Sequence, residues 1–408
     1  MSILTHQPHP RHAPAEPHHQ PELDGIRGIA ILAVMLSHAA GLMGVRPYHR
    51  PHTIWASLAG HLLIPGWGGV DLFFTLSGFL ITGILLRART RTTYFSAFYA
   101  RRILRIFPIY YLFLSLTLLA AHLWPSFGLL LPQTGKQRLS YFLYLQNWPC
   151  FWMGWTGMTS LWGVFWSLAV EEQFYLVWPT VIRFLRTNVI LICCLLGVTL
   201  GTPLRYWILF HMTGMNVGVL QFPTTRLDGL FLGAALALYR ESKGRPVPLA
   251  WAWGFFWAGA LLFLQIFVFH FPELFSIGTH IATYGVTAFA LMSGGLIAAS
   301  QHPVSWLRRI LTFSGLRLAG RYSYGMYVYH LLVYAAFTWL AKQLSPSTGG
   351  ELILPLALLW MAAAIATTTG LAILSYRYFE EPLLRLKRFF PSPAAPVGVS
   401  PTPPATQA

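Results

Sequence analysis

An arginine and a histidine stand eleven residues apart in the first apolar segment of the chain. At 3.6 residues per turn this spacing places Arg27 and His38 on one helix face, about 16 Å apart along the axis. An imidazole at that depth, away from bulk water, is suited to general-base chemistry. A structural histidine that bonds a neighbouring helix fits the same position, and position alone leaves both interpretations open. Asp24, three residues before Arg27, can form an ion pair on the same face.

Two adjacent carboxylates occupy a later apolar segment. Ser167 and Glu171 are four residues apart and share a helix face, whereas Glu172 points about 100° away from them. Only one glutamate can therefore face the same cavity as Ser167. We favour a functional role for Glu171 and expect Glu172 to pair with an arginine at a helix end.

Three arginines, Arg101, Arg102 and Arg105, cluster in a predicted loop before the third apolar segment. Guanidinium groups at a helix start are suited to bidentate phosphate binding. Ordinary anchoring of a membrane protein by positive charge explains the same cluster, and from charge alone it is the better explanation.

Two further polar residues in apolar segments have open roles. Asp71 can partner an arginine or a helix end, and we favour structural packing for it. His330 lies in a tyrosine-rich segment. Its position is equally compatible with a buried, hydrogen-bonded structural histidine and with a residue of a functional site. The three cysteines have no metal-ligand spacing, so the sequence predicts no metal site.

The composition sets the class of protein that must position these residues. Of 408 residues, 55% are apolar and only 10% are charged, whereas a soluble protein needs about 25% charged residues to cover its surface. The net charge of +16 falls in short clusters between long apolar runs, which argues against nucleic-acid binding. The sequence therefore predicts an all-α, multi-pass membrane bundle.

About ten segments are long and apolar enough to be transmembrane helices. These segments are 28–45, 67–86, 106–124, 161–182, 189–204, 219–239, 249–271, 277–299, 322–340 and 352–374. Ten spans place both termini on one side, and that side receives 21 of the 28 Lys and Arg residues. The positive-inside rule then predicts that both termini are cytoplasmic.

The chain divides into three predicted regions. Residues 1–22 form a disordered His/Pro-rich tail, 23–386 form the transmembrane domain, and 387–408 form a disordered Pro/Ala-rich tail.

The polar segments, taken together and in this order, resemble the acyltransferase 3 family of integral-membrane acyltransferases. An Arg-x10-His pattern ends at His38, and the other matching segments are 23–30, 69–81, 101–108, 166–175, 226–229, 320–324 and 375–382. Each motif alone is weak, but seven in order are specific, and they cover nearly the whole predicted membrane domain.

The resemblance implies an enzyme of the bacterial inner membrane that moves an acyl group, usually acetyl, from cytoplasmic acyl-CoA to a hydroxyl. The acceptor is a cell-envelope carbohydrate, a glycolipid or a secreted small molecule. The family pattern implies that His38 is catalytic and that Arg27 is essential. It further implies that Arg101, Arg102 and Arg105 bind the donor, and that Ser167 and Glu171 form a Ser-x3-Glu pattern.

The physical argument and the resemblance lead to one hypothesis. The arginines hold the phosphates of acetyl-CoA, the arm of the donor follows the first helix, and the thioester reaches His38, whose imidazole Glu171 orients. The expected partners are acyl-CoA, a hydroxyl acceptor and membrane lipid, without nucleic acid. The alternative is a proton-coupled secondary transporter of an acylated metabolite, which buried Asp, Glu and His residues would suit. The sequence lacks the inverted repeats common in transporters.

Overall fold

The computed structural model describes residues 20–42, 63–148, 160–211, 218–270, 280–344 and 354–390. Every regular element in these residues is helical, so the predicted all-α class is confirmed. Most of both predicted tails lies outside the described residues. The first helix begins at Pro21 and the last helical turn ends at Phe389.

Ten helices within the described residues have fifteen residues or more, and we number them in chain order. They are α1 Pro21–Leu42, α2 Gly69–Ala88, α3 Tyr94–Leu123, α4 Trp166–Phe184, α5 Thr187–His211, α6 Leu227–Lys243, α7 Leu249–Phe269, α8 Val286–Ser300, α9 Ser314–Leu344 and α10 Leu354–Ser375.

Short elements connect the long helices. The 3-10 turns are Ile64–Gly68, Pro125–Leu130, Gly163–Phe165, Gly218–Leu220, Pro223–Thr225 and Arg385–Phe389. The short α-helices are Gly135–Phe142, Ser305–Leu311 and Glu381–Leu384. Ile281–Gly285 and Tyr376–Glu380 are π-helical turns, a conformation that is frequent at functional sites.

Each predicted segment overlaps one of the ten helices, but several boundaries differ. The largest difference is in α3, which begins at Tyr94, twelve residues before the predicted start. The prediction of a loop around the arginine cluster is therefore wrong. Residues 94–107 contain no Gly or Pro, and burial of Ala97 and Phe98 stabilises this first part of the helix.

Seven helices in the described residues are long and apolar enough to cross a membrane, which indicates a multi-pass membrane protein. Five of them are α1, α2, α3, α5 and α7, and the other two include α8 and α10. In the apolar stretch of α2, 72% of the residues are buried, against 17% in α5 and in α7. Thus α2 is central, and α5 and α7 are peripheral.

Glycines allow two helix pairs to cross at backbone contact. A Cβ atom on Gly320 of α9 would lie 1.8 Å from the backbone oxygen of Asp24 in α1. A Cβ atom on Gly233 of α6 would lie 1.9 Å from the backbone oxygen of Thr75 in α2. Small residues at such crossings let helix backbones approach closely in a membrane bundle.

Side-chain bonds join one set of helix ends. These bonds are Arg89 to the carbonyl of Leu185, Arg183 to the carbonyl of Arg89, Arg87 to Glu241, Arg308 to Glu22, and Arg101 to the carbonyl of Phe390. They bring together the starts of α1 and α3 and the ends of α2, α4 and α6. We call this end of the bundle the arginine-rich end.

Candidate active site

A cavity of about 350 Å³, which we call the first cavity, lies among α1, α2, α3, α4 and α9. Its cationic lining residues are Arg27, Arg101, Arg102, Arg105 and Lys387. All four predicted donor-binding arginines thus line a single cavity. Much of the remaining wall is an apolar face of α2, so the cavity combines concentrated positive charge with an apolar surface.

Three of these arginines already have partners within the protein, and Arg27 is paired with Asp24. Arg101 donates from Nη1 to the carbonyl oxygens of Lys387, at 3.2 Å, and Phe390, at 2.8 Å. The guanidinium carbon of Arg102 lies 4.2 Å from the ring centroid of Tyr175, a cation–π contact. These contacts hold Arg101 and Arg102 in place and occupy part of their binding capacity.

Glu171 faces the first cavity, as its spacing from Ser167 predicts. The Ser77 hydroxyl donates to Glu171 Oε1 at 2.7 Å, and the Tyr175 hydroxyl donates to Ser77 at 2.9 Å. This short chain of hydrogen bonds joins α2 to α4 and fixes the orientation of the carboxylate.

Ser167 also lines the first cavity, beside Tyr327 of α9. The Tyr327 hydroxyl donates to the carbonyl oxygen of Val164 at 2.6 Å. The hydroxyl groups of Ser167 and Tyr327 are 2.7 Å apart, so Ser167 is the donor of that second bond. Ser167 is the second residue of α4 and lies about 27 Å along the helix from Leu185 at the arginine-rich end. This part of the cavity is therefore its deep end.

His38 forms a pair with His330, one helix turn beyond Tyr327 on α9. His38 Nδ1 and His330 Nε2 are 3.0 Å apart, and the two rings stack with centroids 5.1 Å apart. His38 is partly exposed and lies about 26 Å from the start of α1, whereas His330 is fully buried. Each ring therefore bonds a neighbouring helix, as the structural interpretation of each histidine predicts. The general-base role of His38 stays a prediction.

The hydrogen-bond partners determine the tautomers of the neutral pair. The Tyr327 carbonyl oxygen lies 2.7 Å from His330 Nδ1 and can only accept, so Nδ1 carries the proton. His330 Nε2 is then an acceptor, and His38 Nδ1 must donate to it. Nε2 of a neutral His38 is consequently unprotonated, which is the form that a general base requires.

The expected contact between Glu171 and the His38 imidazole is replaced by the histidine pair. In the described part of the chain, His38 Nδ1 bonds His330 and Glu171 bonds Ser77. The residues lining the first cavity include Tyr327 but not His38. The centroids of the Tyr327 and His330 rings are 5.6 Å apart, so the Tyr327 ring lies between the deep end and the histidine pair.

Both predicted aspartate contacts are present. Asp24 accepts from Arg27 Nη1 at 2.7 Å, as the spacing of three residues predicts. Buried Asp71 pairs with buried Arg226 at 3.1 Å, which confirms the expected structural partner. Asp24 therefore neutralises part of the charge of Arg27 at the first cavity, while Asp71 joins α2 to the start of α6.

The prediction that Glu172 pairs with an arginine is wrong for the described residues. Glu172 Oε1 is buried without a hydrogen-bond partner. Glu171, one position earlier, lines the first cavity, whereas Glu172 is not one of its lining residues.

The sequence patterns do not single out Ser77, Tyr327 and Lys387, although all three line the first cavity. Its spacing from His330 could have identified Tyr327, because Tyr327 precedes His330 by three residues and shares its helix face. Lys387 reaches the cavity only through the packing of the last turn beside α3, which local sequence does not reveal.

Curated relatives resemble this chain over most of its length. It is 26% identical over 379 residues to the peptidoglycan O-acetyltransferase OatA of Listeria monocytogenes, covering 89% of this chain and 55% of that protein. It is 30% identical over 387 residues to the putative peptidoglycan O-acetyltransferase YrhL of Bacillus subtilis, covering 90% and 55%. The O-acetyltransferase OatA of Staphylococcus aureus is 26% identical over 393 residues, covering 90% and 57%. The chain thus spans little more than half the length of these relatives.

No solved structure matches this one. The family model described as an acyltransferase domain matches residues 20–377, which include α1 to α10 and both histidines of the pair. The chain therefore belongs to the acyltransferase 3 family.

Proposed function

We propose that this chain transfers an acetyl group from cytoplasmic acetyl-CoA to a hydroxyl of a cell-envelope carbohydrate, with peptidoglycan as the first acceptor to test. The observation that carries the proposal is the His38–His330 pair, one helix turn beyond the deep end of an arginine-lined cavity. The names of the relatives support the O-acetyl product and the peptidoglycan acceptor.

The orientation in the membrane follows from charge. We infer that all ten long helices cross the bacterial cytoplasmic membrane, with the arginine-rich end and both termini in the cytoplasm. The bonds among Arg87, Arg89, Arg183 and Arg308 and their partners support one shared cationic end. Cytoplasmic ends of membrane proteins carry such an excess of Lys and Arg.

The first cavity suits the donor by the chemistry of its lining. Arg27 and Arg105 offer guanidinium groups for phosphate oxygens. The apolar face of α2 suits the uncharged arm of acetyl-CoA, and we assign this arm to the path from the arginine-rich end toward Tyr327. We assign positioning roles to Glu171, Ser167 and Asp71.

The proposed chemistry uses His38 Nε2 twice. Nε2 accepts the proton of the acceptor hydroxyl as the hydroxyl oxygen attacks the thioester carbonyl carbon. The carbon–sulfur bond then breaks, and the leaving sulfur takes the proton from Nε2, which yields an O-acetyl ester and a free thiol. The Tyr327 ring lies between the deep end of the first cavity and the histidine pair, so in this proposal the acetyl group passes Tyr327 to reach His38.

Replacement of His38 tests the proposal. We expect His38→Ala to lower the transfer rate roughly 100-fold or more, because positioned general-base catalysis contributes about that much. Membrane vesicles receive acetyl-CoA and soluble peptidoglycan fragments. Thiol release and the mass of the acetylated fragments are then measured.

Tyr334→Phe is the matched control, because it removes a buried 3.1 Å bond to the Met35 carbonyl between the same two helices and leaves both imidazoles in place. A His38→Ala protein that inserts normally and transfers acetyl at the wild-type rate would contradict the proposal.

A further inference from the structure

A second cavity, of about 580 Å³, adjoins the first and has no role in the function proposed above. It lies among α1, α3, α9, α10 and the π-helical turn Tyr376–Glu380. Its charged and aromatic lining residues are Asp24, Arg27, Arg105, Arg317, Arg321, Tyr322, Tyr324, Tyr376 and Glu380. Four guanidinium groups thus face two carboxyl groups, one of which is already paired with Arg27.

Arg317 and Arg321 are the two cations that α9 supplies to this cavity. They are four residues apart on α9 and therefore share a helix face, and both are exposed. In the described part of the chain neither side chain forms an ion pair, whereas Arg101 of the first cavity is bonded to two carbonyl oxygens. Guanidinium forks that are not held in an ion pair bind phosphate oxygens in a bidentate manner.

Aromatic rings lie beside these cations. The guanidinium carbon of Arg321 lies 5.6 Å from the ring centroid of Tyr322 and 5.5 Å from that of Tyr376. The Tyr322 and Tyr376 rings meet edge to face at 5.2 Å. A planar base can stack on such an aromatic and guanidinium surface while its phosphates bind the forks.

Arg27, Arg105 and Tyr324 line both cavities. A single elongated molecule can therefore occupy the two, with its most anionic part in the second and its less polar part in the first. The first cavity has the apolar wall of α2, which the second lacks.

We propose that the second cavity binds the phosphorylated nucleoside end of the thioester donor, with Arg317 and Arg321 as phosphate ligands. This assignment rests on the proposed function, since the donor is the one assigned there. The arm of the donor extends past Arg27 and Arg105 into the first cavity. The principal phosphate contacts thereby move to α9 from Arg27, Arg101, Arg102 and Arg105, which the sequence assigns to the donor.

Donors of different length test the assignment. Binding of coenzyme A to the purified full chain is measured by titration calorimetry. Kinetics are measured with acetyl-CoA and with acetyl-pantetheine, which lacks the nucleotide. We expect Arg317→Ala and Arg321→Ala each to weaken coenzyme A binding about tenfold or more, the usual scale of a charge-assisted hydrogen bond. The KM for acetyl-pantetheine should not change.

Arg309→Ala is the matched control, because Arg309 is an exposed arginine of the helix Ser305–Leu311 and lines neither cavity. Unchanged coenzyme A binding in both α9 variants would overturn the inference and leave the proposed function standing. Equal losses with the long and short donors would also overturn it, since the nucleotide would then have no separate site. A wild-type chain that neither binds coenzyme A nor turns over acetyl-CoA would instead refute the proposed function.

An anionic lipid headgroup presents the same phosphate chemistry. The titrations are therefore repeated in phosphatidylcholine nanodiscs with and without phosphatidylglycerol. If the α9 variants lose phosphatidylglycerol retention but bind coenzyme A as wild type does, the cavity is a lipid site and the inference is wrong.

Discussion

The two imidazoles of the His38–His330 pair differ in their surroundings. His330 is 0% exposed, and both of its ring nitrogens are in hydrogen-bond contact. His38 is partly exposed, and its Nδ1 is the nitrogen that faces His330. In the proposed mechanism His330 takes the position of the carboxylate in a catalytic triad, and it holds His38 in one tautomer without adding a negative charge.

Replacement of His330 separates a positioning role from a packing role. We expect His330→Leu to lower kcat roughly 100-fold or more, because His38 loses the acceptor that fixes its tautomer. His330→Gln keeps an acceptor oxygen and should retain clearly more activity. The KM for acetyl-CoA should be unchanged in both variants, because His330 lines neither the first nor the second cavity. Steady-state kinetics with varied acetyl-CoA measure both constants.

The same Tyr334→Phe control applies here. Loss of its bond to α1 should cost about 1 kcal/mol of stability and leave kcat near the wild-type value. Equal activity of His330→Leu and His330→Gln would show that His330 only fills space.

Among the helices, α1 and α9 set the geometry of the candidate site. They run in parallel, with Asp24 beside Gly320 and Met35 beside Tyr334. This register brings His38 opposite His330. The helix α9 also supplies Tyr324 and Tyr327 to the first cavity, so one helix face serves both the first cavity and the histidine pair.

Enlargement of Gly320 should disturb this register. A Cβ atom there meets backbone rather than a movable side chain, so we expect Gly320→Ala to destabilise the protein by about 1–3 kcal/mol and to reduce activity. Thermal unfolding in detergent and acetyl transfer are measured together.

Gly370→Ala makes the same chemical change on α10, where a Cβ atom would meet nothing within 4 Å. That control should be neutral or slightly stabilising, because Ala favours a helix more than Gly does. Equal stability of the two variants would mean that the α1–α9 crossing tolerates a wider spacing.

For the molecule as a whole, the proposed orientation predicts that two exposed positions lie on opposite sides of the membrane. Lys136 lies in the helix Gly135–Phe142 that follows α3, and Arg309 lies in the helix that precedes α9. In a variant without the native cysteines, an impermeant maleimide added to spheroplasts should label Lys136→Cys. It should label Arg309→Cys only after the membrane is permeabilised. The cysteine-free parent is the blank, and labelling of both positions in intact spheroplasts would contradict the orientation.

Local sequence predicts the fold class and part of the candidate site. The length of the apolar segments predicts the helices, and the spacing of Asp24, Arg27 and His38 predicts that they lie on one helix. Local sequence cannot predict the partner of His38, because 292 residues separate His38 from His330 and only the packing of α1 against α9 brings them together. The bond between Glu171 and Ser77 likewise spans 94 residues. The predicted start of α3 is too late, because a cluster of arginines is typical of a loop. Burial of Ala97 and Phe98, which stabilises this part of the helix, is visible only in the structure.

The carbonyl oxygen that ends the histidine pair also limits where a proton can travel. Tyr327 offers His330 an oxygen that accepts a hydrogen bond and has no hydrogen to pass on. A proton that arrives at His38 Nε2 therefore meets a dead end in α9 and must leave by the atom through which it entered. This arrangement suits the proposed reaction, in which His38 Nε2 takes up a proton and gives it to the leaving sulfur within one turnover.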